Sequence, residues 1–321
     1  MYSVAQTKDA VKWSTYKTAS KQMAERFVRI GGIMFSRGMR MSQCSEFITS
    51  AVCPNCGTHG HTITNLCRDR LCPICAWRLS RARFAQMAKI IELTKPYLIE
   101  RNTYCQFITL TVRNVPLFKL SEQLKTMSKA WDKLSHRKPL AYRDILIGWA
   151  RNTEITINEK TREAHPHLHI MLLWDGRAKK QAIEWGKKLS QEWKTALGVD
   201  YNPIVDARDA YSKKKGFDII EDNSIVDAVL EATKYCVKTD DIAELSDQEL
   251  VMFACQIKGY RFSSYGGLIK TMRANLGLDD EDYNEIDNGN CTKCGTKMVH
   301  YLMQWTGAKY AITEMESVTN E

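Results

Sequence analysis

Residues 165–174, HPHLHIMLLW, constrain the fold of this chain more than any other segment. Successive side chains of an extended strand point to opposite faces, so His165, His167 and His169 share one face while Leu168, Ile170 and Leu172 share the other. Such a strand needs an apolar layer on one side, and packing gives no reason for imidazoles on the other. One histidine could be an ordinary surface residue. Three at period two, beside Pro166, form a metal-ligand arrangement able to hold a divalent ion that polarises a phosphoryl oxygen.

Upstream, Arg151–Ile157 (RNTEITI) alternates as a strand and is separated from the histidine strand by a short polar segment, so the two read as a hairpin. Cross-strand neighbours in a hairpin come within about 5 Å at Cβ, which nominates Glu154 as the third ligand beside His167 and His169. Two imidazoles and a carboxylate suit Mg²⁺ or Mn²⁺ when phosphate and water complete the shell, and imidazoles tolerate zinc as well. His165 is left to contact nucleic acid or to cap the strand.

The cysteines mark a second kind of site. Cys53-Pro-Asn-Cys56 and Cys72-Pro-Ile-Cys75 are separated by fifteen residues, the spacing of two knuckles around one tetrahedral zinc ion. Cys44 to Cys75 is rich in Cys, Gly, Pro and His and poor in periodicity, and zinc contributes on the order of 10 kcal/mol to folding a segment with so little core. Four thiolates leave no open position, so the site is structural. Cys44, Cys67, His59 and His61 are left over, which leaves an alternative ligand set or a second ion open. In the tail, Cys291-Thr-Lys-Cys294 is at most half a zinc site with His300 as a third ligand, or else a turn carrying two thiols. Eleven cysteines without an export signal argue for metal binding or burial and against a disulfide framework.

A net charge of +9 persists despite six acids and no base between Asp279 and Asp287, so the excess elsewhere is larger and points to a polyanionic partner. Basic clusters fall at Arg68, Arg70, Arg78, Arg81 and Arg83, at Lys179 and Lys180, at Lys187 and Lys188, and at Lys213 to Lys215; taken singly, each reads as a solvated helix face. No run approaches the ~20 apolar residues needed to span a membrane and no early stretch reads as a signal peptide, so the expected location is the cytoplasm.

Periodicity predicts helices over Val11–Gly31, Trp77–Ile91, Leu117–Ser135 and Lys179–Leu197, and one starting at Ser224 and running to about Tyr235. It predicts strands over Cys105–Val112 and Ile204–Tyr211 besides the hairpin. The class is α+β with a largely antiparallel sheet. Residues 1–100 form an N-terminal helix and zinc segment, 101–277 the main domain, and 278–321 an acidic linker and a small tail docked through Trp305. On the Ser224 helix Glu231 and Tyr235 lie four apart and share a face. A phenol with a pKa near 10 needs a base or cation to attack at neutral pH, which Glu231, Lys234 and Lys238 can supply.

Taken together, Cys67-Arg-Asp-Arg-Leu-Cys72-Pro-Ile-Cys75, Phe107-Ile-Thr-Leu-Thr111, Glu154 with His165-Pro-His-Leu-His169, and Glu231 through Lys238 make the chain resemble the plasmid rolling-circle replication initiators, Rep proteins of the HUH endonuclease superfamily. The resemblance spans roughly Cys44 to Asp241. It implies an HUH-type antiparallel sheet flanked by helices, metal on His167 and His169, Tyr235 nicking the double-strand origin to form a 5′-phosphotyrosine, and Glu231 activating water in the closing step. It also implies plasmid DNA, a host helicase and a DNA polymerase as partners. The family's cysteine pattern could recruit Cys44 and Cys67 with Cys72 and Cys75 instead. A related transposase or relaxase differs in substrate and not in chemistry, and a zinc-dependent nucleic-acid binding protein without catalysis is the reading from another class.

Overall fold

The computed structural model describes residues 8–137, 140, 144–209, 239–278, 289–291 and 293–315. They belong to two units, Met1–Ala82 with Glu281–Glu321, and Arg83–Asp280. The second unit holds five strands: β3 (Tyr104–Thr111), β4 (Leu146–Ile157), β5 (Ala164–Trp174), β6 (Val205–Asp209) and β7 (Ser263–Gly266). They line up as β6-β3-β5-β4-β7, with every neighbouring pair antiparallel, so the histidine strand is the middle one. The expected α+β class with antiparallel pairing is the one that forms, and the two hairpin strands extend beyond their predicted ends.

The hairpin closes through Asn158, whose side-chain Oδ1 accepts from Lys160 N and Thr161 N at 3.0 Å each, while Arg162 takes a left-handed φ of 58°. An asparagine side chain that bonds two backbone groups ahead is a local turn former, which fixes the register of the two strands. Leu168, Ile170 and Leu172 are fully buried on one face. Two helices supply their apolar cover: α4 (Leu120–Ser135) with Met127, Trp131 and Leu134, and α5 (Lys179–Leu197) with Trp185, Leu189 and Trp193. Trp193 Nε1 donates to Thr111 O at 2.8 Å and Gln106 Nε2 to Ala182 O at 3.3 Å, which pairs two of the polar groups inside this layer. Helix α5 spans the predicted residues end to end and stops at Gly198, whose φ of 72° suits glycine at a helix C-terminus. Three further helices belong to this unit: α6 (Thr239–Ala243), α7 (Asp247–Gln256) and α8 (Gly267–Asn275). The helix expected from Ser224 lies outside the described residues.

The first unit contains α1 (Lys8–Ile30), α2 (Gly32–Ser42), β1 (Phe47–Val52), β2 (His59–Thr64), the opening turns of α3 (Pro73–Glu100), β8 (Val299–Trp305) and β9 (Tyr310–Met315). Its sheet runs β2-β1-β8-β9. Here the structure corrects the sequence reading, because the tail is not a segment by itself. β8 pairs along the whole of β1, from Phe47 opposite Gln304 to Val52 opposite Val299, and Tyr310 Oη donates to Ser45 O at 2.7 Å. Trp305 is buried, packs against Tyr310 of the tail itself with ring centroids 5.2 Å apart, and its backbone N–H donates to Glu46 O at 3.0 Å. Two strands, β1 and β2, thus form inside the cysteine-rich segment that lacked periodicity. Helices α1 and α2 approach so closely that a Cβ on Gly38 would lie 2.8 Å from Ala24 O, which excludes larger residues there. Lys17 is fully buried in this unit, and its ammonium donates to Glu46 Oε2 at 2.9 Å and to the Cys44 carbonyl. Among the described residues, no helix is long and apolar enough to cross a membrane.

Candidate metal centres

Register places the first centre. Glu154 on β4 faces His167 on β5, and Asn152 faces His169. The Glu154 carboxylate reaches diagonally, so its Oε2 stands 2.8 Å from His169 Nε2 and 4.0 Å from His167 Nδ1. One ligand atom from each of the three residues lies within 4.8 Å of the others, the spacing of donors that could converge on one cation. Glu154 and His169 are buried, and His167 is partly exposed, so the cluster opens to solvent on one side. The hairpin and the three expected ligands therefore come together as the alternation required.

His165 stays outside this cluster. It is half-buried with its ring 4.3 Å from that of His167, and burial holds its pKa below the ordinary value.

One participant was missed. Thr109 on β3 is the cross-strand partner of His169 on the other side, and its Oγ1 lies 3.3 Å from His169 Nδ1. A hydrogen bond at one ring nitrogen fixes the ring and leaves Nε2 for a metal. Alternation in Phe107-Ile-Thr109-Leu-Thr111 puts Thr109 and Phe107 on one face of β3, but only the pairing of β3 with β5 makes it the histidine face. Phe107 lies on that face too, stacked on His169 at 5.9 Å.

The cysteines group differently from their spacing. Cys53, Cys56, Cys72 and Cys75 do not surround one ion. Cys72 and Cys75 join Cys44 and Cys67, while Cys53 and Cys56 join Cys291 and Cys294. In the first set Sγ–Sγ distances are 3.5 Å for Cys44–Cys75, 3.6 Å for Cys67–Cys75 and 3.7 Å for Cys44–Cys72. In the second they are 3.4 Å for Cys53–Cys294 and 3.5 Å for Cys56–Cys291 and Cys56–Cys294. A tetrahedron of ~2.3 Å zinc–sulfur bonds has edges of roughly 3.8 Å, so both donor sets fit zinc. The physical reason for the regrouping is the pairing of β1 with β8, which brings the tail's two cysteines to the end of β1. Among the described side chains, His300 belongs to neither set.

The second set is built from two equivalent knuckles, Cys53-Pro-Asn-Cys56-Gly57-Thr58 and Cys291-Thr-Lys-Cys294-Gly295-Thr296. In each, the glycine N–H donates to the first cysteine's carbonyl, at 2.9 and 2.8 Å, with φ near the left-handed region at 68° and 74°. In each, the first cysteine N–H donates to the threonine carbonyl at 2.8 Å. The threonine hydroxyls lie beside the second sulfurs, Thr58 at 3.1 Å from Cys56 and Thr296 at 3.3 Å from Cys294, and lower both thiol pKa values, that of Cys294 to about 6. Cys44 in the first set is likewise pushed down by hydrogen bonds from Cys67, Cys72 and Cys75, while Cys67 and Cys75 are pushed up by their bonds to Cys44. Sulfurs this close cannot all ionise without a cation among them.

Around the first cysteine set, Arg37 grips Asp69 through Nε and Nη2 at 2.7 and 2.8 Å, and Asp69 caps Leu71 N at 3.0 Å, which shapes the loop from Cys67 to Cys72. Arg78 and Arg83, read as part of a solvated helix face, are buried instead; Arg78 donates to Thr62 O at 3.2 Å and lies over the Trp13 ring. Tyr235, Glu231 and Lys238, expected to carry the nucleophile and its activation, lie outside the described residues.

The profile of a protein family described as Replication protein matches residues 61–311. A Protein rep of Lentilactobacillus hilgardii is 32% identical over 288 residues, covering 86% of this chain and 85% of its own. A Protein rep of Bacillus amyloliquefaciens is 30% identical over 312 residues, covering 89% of each chain, and one of Streptococcus pneumoniae is 29% identical over 245 residues, covering 73% and 71%. No solved structure matches. With a match across most of its length and relatives aligned nearly end to end, the chain belongs to the replication protein family, that of the Rep initiators of plasmid replication.

Proposed function

We propose that this protein starts rolling-circle replication by nicking one strand of the plasmid's double-strand origin in the cytoplasm, with a nuclease domain of the HUH type. What supports the reading is the Glu154–His167–His169 cluster on the middle of a five-stranded antiparallel sheet, together with the family assignment. His167 and His169 offer ring nitrogens, Glu154 offers its carboxylate, and Thr109 steadies His169. A bound Mg²⁺ or Mn²⁺ supplies Lewis-acid polarisation of the scissile phosphate.

The phenolic oxygen of Tyr235 attacks phosphorus, the bond from phosphorus to the 3′ oxygen breaks, and a 5′-phosphotyrosine forms. The phenol proton passes to Glu231, and the departing 3′ oxygen takes a proton from water to become the hydroxyl that primes synthesis. Lys238 favours the phenolate by its charge. Glu231 loses the phenol's proton to solvent before closure; it then takes a proton from the water that attacks phosphorus, the bond from phosphorus to the tyrosine oxygen breaks, and that oxygen regains a proton from Glu231, so one tyrosine suffices. A host helicase and polymerase extend the freed 3′ end, and zinc in the two cysteine sets holds the first unit's sheet together.

Nicking of supercoiled origin plasmid tests the reading. With Mg²⁺ or Mn²⁺ the wild-type chain should convert it to open circles, and Glu154→Ala or His169→Ala should slow this at least 10²-fold while origin binding without added Mg²⁺ or Mn²⁺ persists. Undiminished nicking by both variants would contradict the assignment.

A further inference from the structure

On β4, Glu154 and Asn152 face the metal cluster, so Arg151 and Trp149 point to the opposite face of the sheet. There a cleft of about 500 Å³ opens between α4, β4 and residues 256–264. Its lining includes Lys125 and Lys129 of α4, Lys258, Arg261, Tyr260 and, at its floor, Arg151. Asp132 is the one acid among the described lining residues.

Arg151 is the informative residue. It is only 5% exposed, and its buried Nε has no hydrogen-bond acceptor among the described residues. Burial depresses its pKa below the ordinary guanidinium value. A buried guanidinium N–H without an acceptor is costly, and a guanidinium is a planar fork matched to phosphate or carboxylate oxygens. The adjacent polar groups are already satisfied: Tyr260 Oη lies 3.1 Å from both Ser128 Oγ and Thr153 Oγ1, and Gln256 Oε1 accepts from Ser121 N at 2.9 Å. Asp132 attracts Arg151 electrostatically but gives its Nε no hydrogen bond, so an acceptor at that atom is still lacking, and the exposed lysines at the rim supply positive charge along an anion's approach.

We propose that this cleft is a phosphate site, and that it takes a backbone phosphate of DNA held on the side of the sheet opposite the metal cluster. One phosphate sits against Arg151, and the neighbouring phosphates of the same strand run past Lys125, Lys129 and Lys258. The protein would then hold DNA at a second place, remote from the bond to be broken, and phosphate contacts of that kind set register without reading bases.

The test is fluorescence anisotropy with a short labelled duplex without added Mg²⁺ or Mn²⁺, so the readout is independent of nicking and the two readings fail separately. Arg151→Met should weaken binding about 5-fold or more and reduce the salt slope of log K by about 1, as for one lost phosphate contact. Its melting temperature should hold or rise, because a buried unpaired charge is removed. The exposed pair Lys125→Ala/Lys129→Ala guards against a folding defect and should lower the slope by about 2 with unchanged melting. Unchanged affinity and slope in both variants would overturn the proposal. So would a lower melting temperature for Arg151→Met with an unaffected lysine pair, which would make Arg151 a structural residue. Titration with ATP and with inorganic phosphate separates the sources: stabilisation by either at micromolar concentration without competition from DNA would assign the cleft to a free phosphate ligand and overturn the DNA assignment.

Discussion

Thr109 and His169 show how a residue outside the donor set can govern it. With Oγ1 at 3.3 Å from Nδ1, the threonine ties the imidazole to β3 while the carboxylate of Glu154 meets its other nitrogen at 2.8 Å. Losing such support typically costs 10- to 100-fold in metal affinity. Thr109→Val, which keeps the shape and removes the hydroxyl, should therefore weaken Mn²⁺ binding roughly 10-fold by calorimetric titration, with little change in melting temperature. An unchanged affinity would show that β5 alone fixes the ring. At this scale the sequence was highly legible, because period-two alternation reports which side chains share a face. The donor set Glu154, His167 and His169 followed from that alternation and one hairpin. Thr109 escaped only because the pairing of β3 with β5 joins residues sixty apart and leaves no local trace.

The junction between β5 and α5 carries a clear electrostatic device. Asp175 is nearly fully buried and accepts from Arg177 N at 3.0 Å, Arg177 Nε at 2.8 Å and Arg101 Nη1 at 2.9 Å. The hydrogen bonds from Arg177, with Arg101 beside it, hold its carboxyl down at about 2. A carboxylate whose folded pKa lies below its unfolded value stabilises the fold above the unfolded pKa of about 3.9, and that contribution is lost as pH falls through the folded value. Arg177 is exposed, which screens part of the interaction. Asp175→Asn should cost about 1–2 kcal/mol at pH 7 by denaturant unfolding, and the difference from wild type should vanish between roughly pH 4 and pH 2. Persistence of the gap at pH 2 would point to packing and not charge. Element boundaries were legible where caps are local: α5 was predicted to the residue, with glycine following its last turn. Helix α3 was not, since it begins at Pro73 inside a cysteine knuckle and continues through Pro96. Proline is favoured in the first turn, yet it reads as a breaker within a helix, so both ends were cut short.

Across the whole chain, the cysteines determine which distant segments belong together. Two donor sets predict two zinc ions per chain, measured by chelator release after thiol blocking. Cys291→Ser with Cys294→Ser should lower the count to one and make residues 289–315 readily removed by limited proteolysis, because the tail's strands lose the knuckle that anchors them. A count of one in the unmodified protein would contradict the second site. Spacing alone misled here because neighbours in sequence looked like partners in space, whereas β1 and β8 are about 250 residues apart. The repeated Cys-x-x-Cys-Gly-Thr was the legible clue, shared by Cys53–Thr58 and Cys291–Thr296 and absent after Cys75.

The central claim is that the ion held by Glu154, His167 and His169 serves attack by the Tyr235 phenol on a DNA strand. Denaturing electrophoresis of the protein with a 5′-labelled and a 3′-labelled origin oligonucleotide, followed by peptide mass mapping of any adduct, addresses it directly. The account predicts an adduct that requires Mg²⁺ or Mn²⁺, retains only the label on the strand 3′ of the nick, maps to Tyr235 and disappears in Tyr235→Phe. An adduct that forms in EDTA, or that survives Tyr235→Phe, would contradict it.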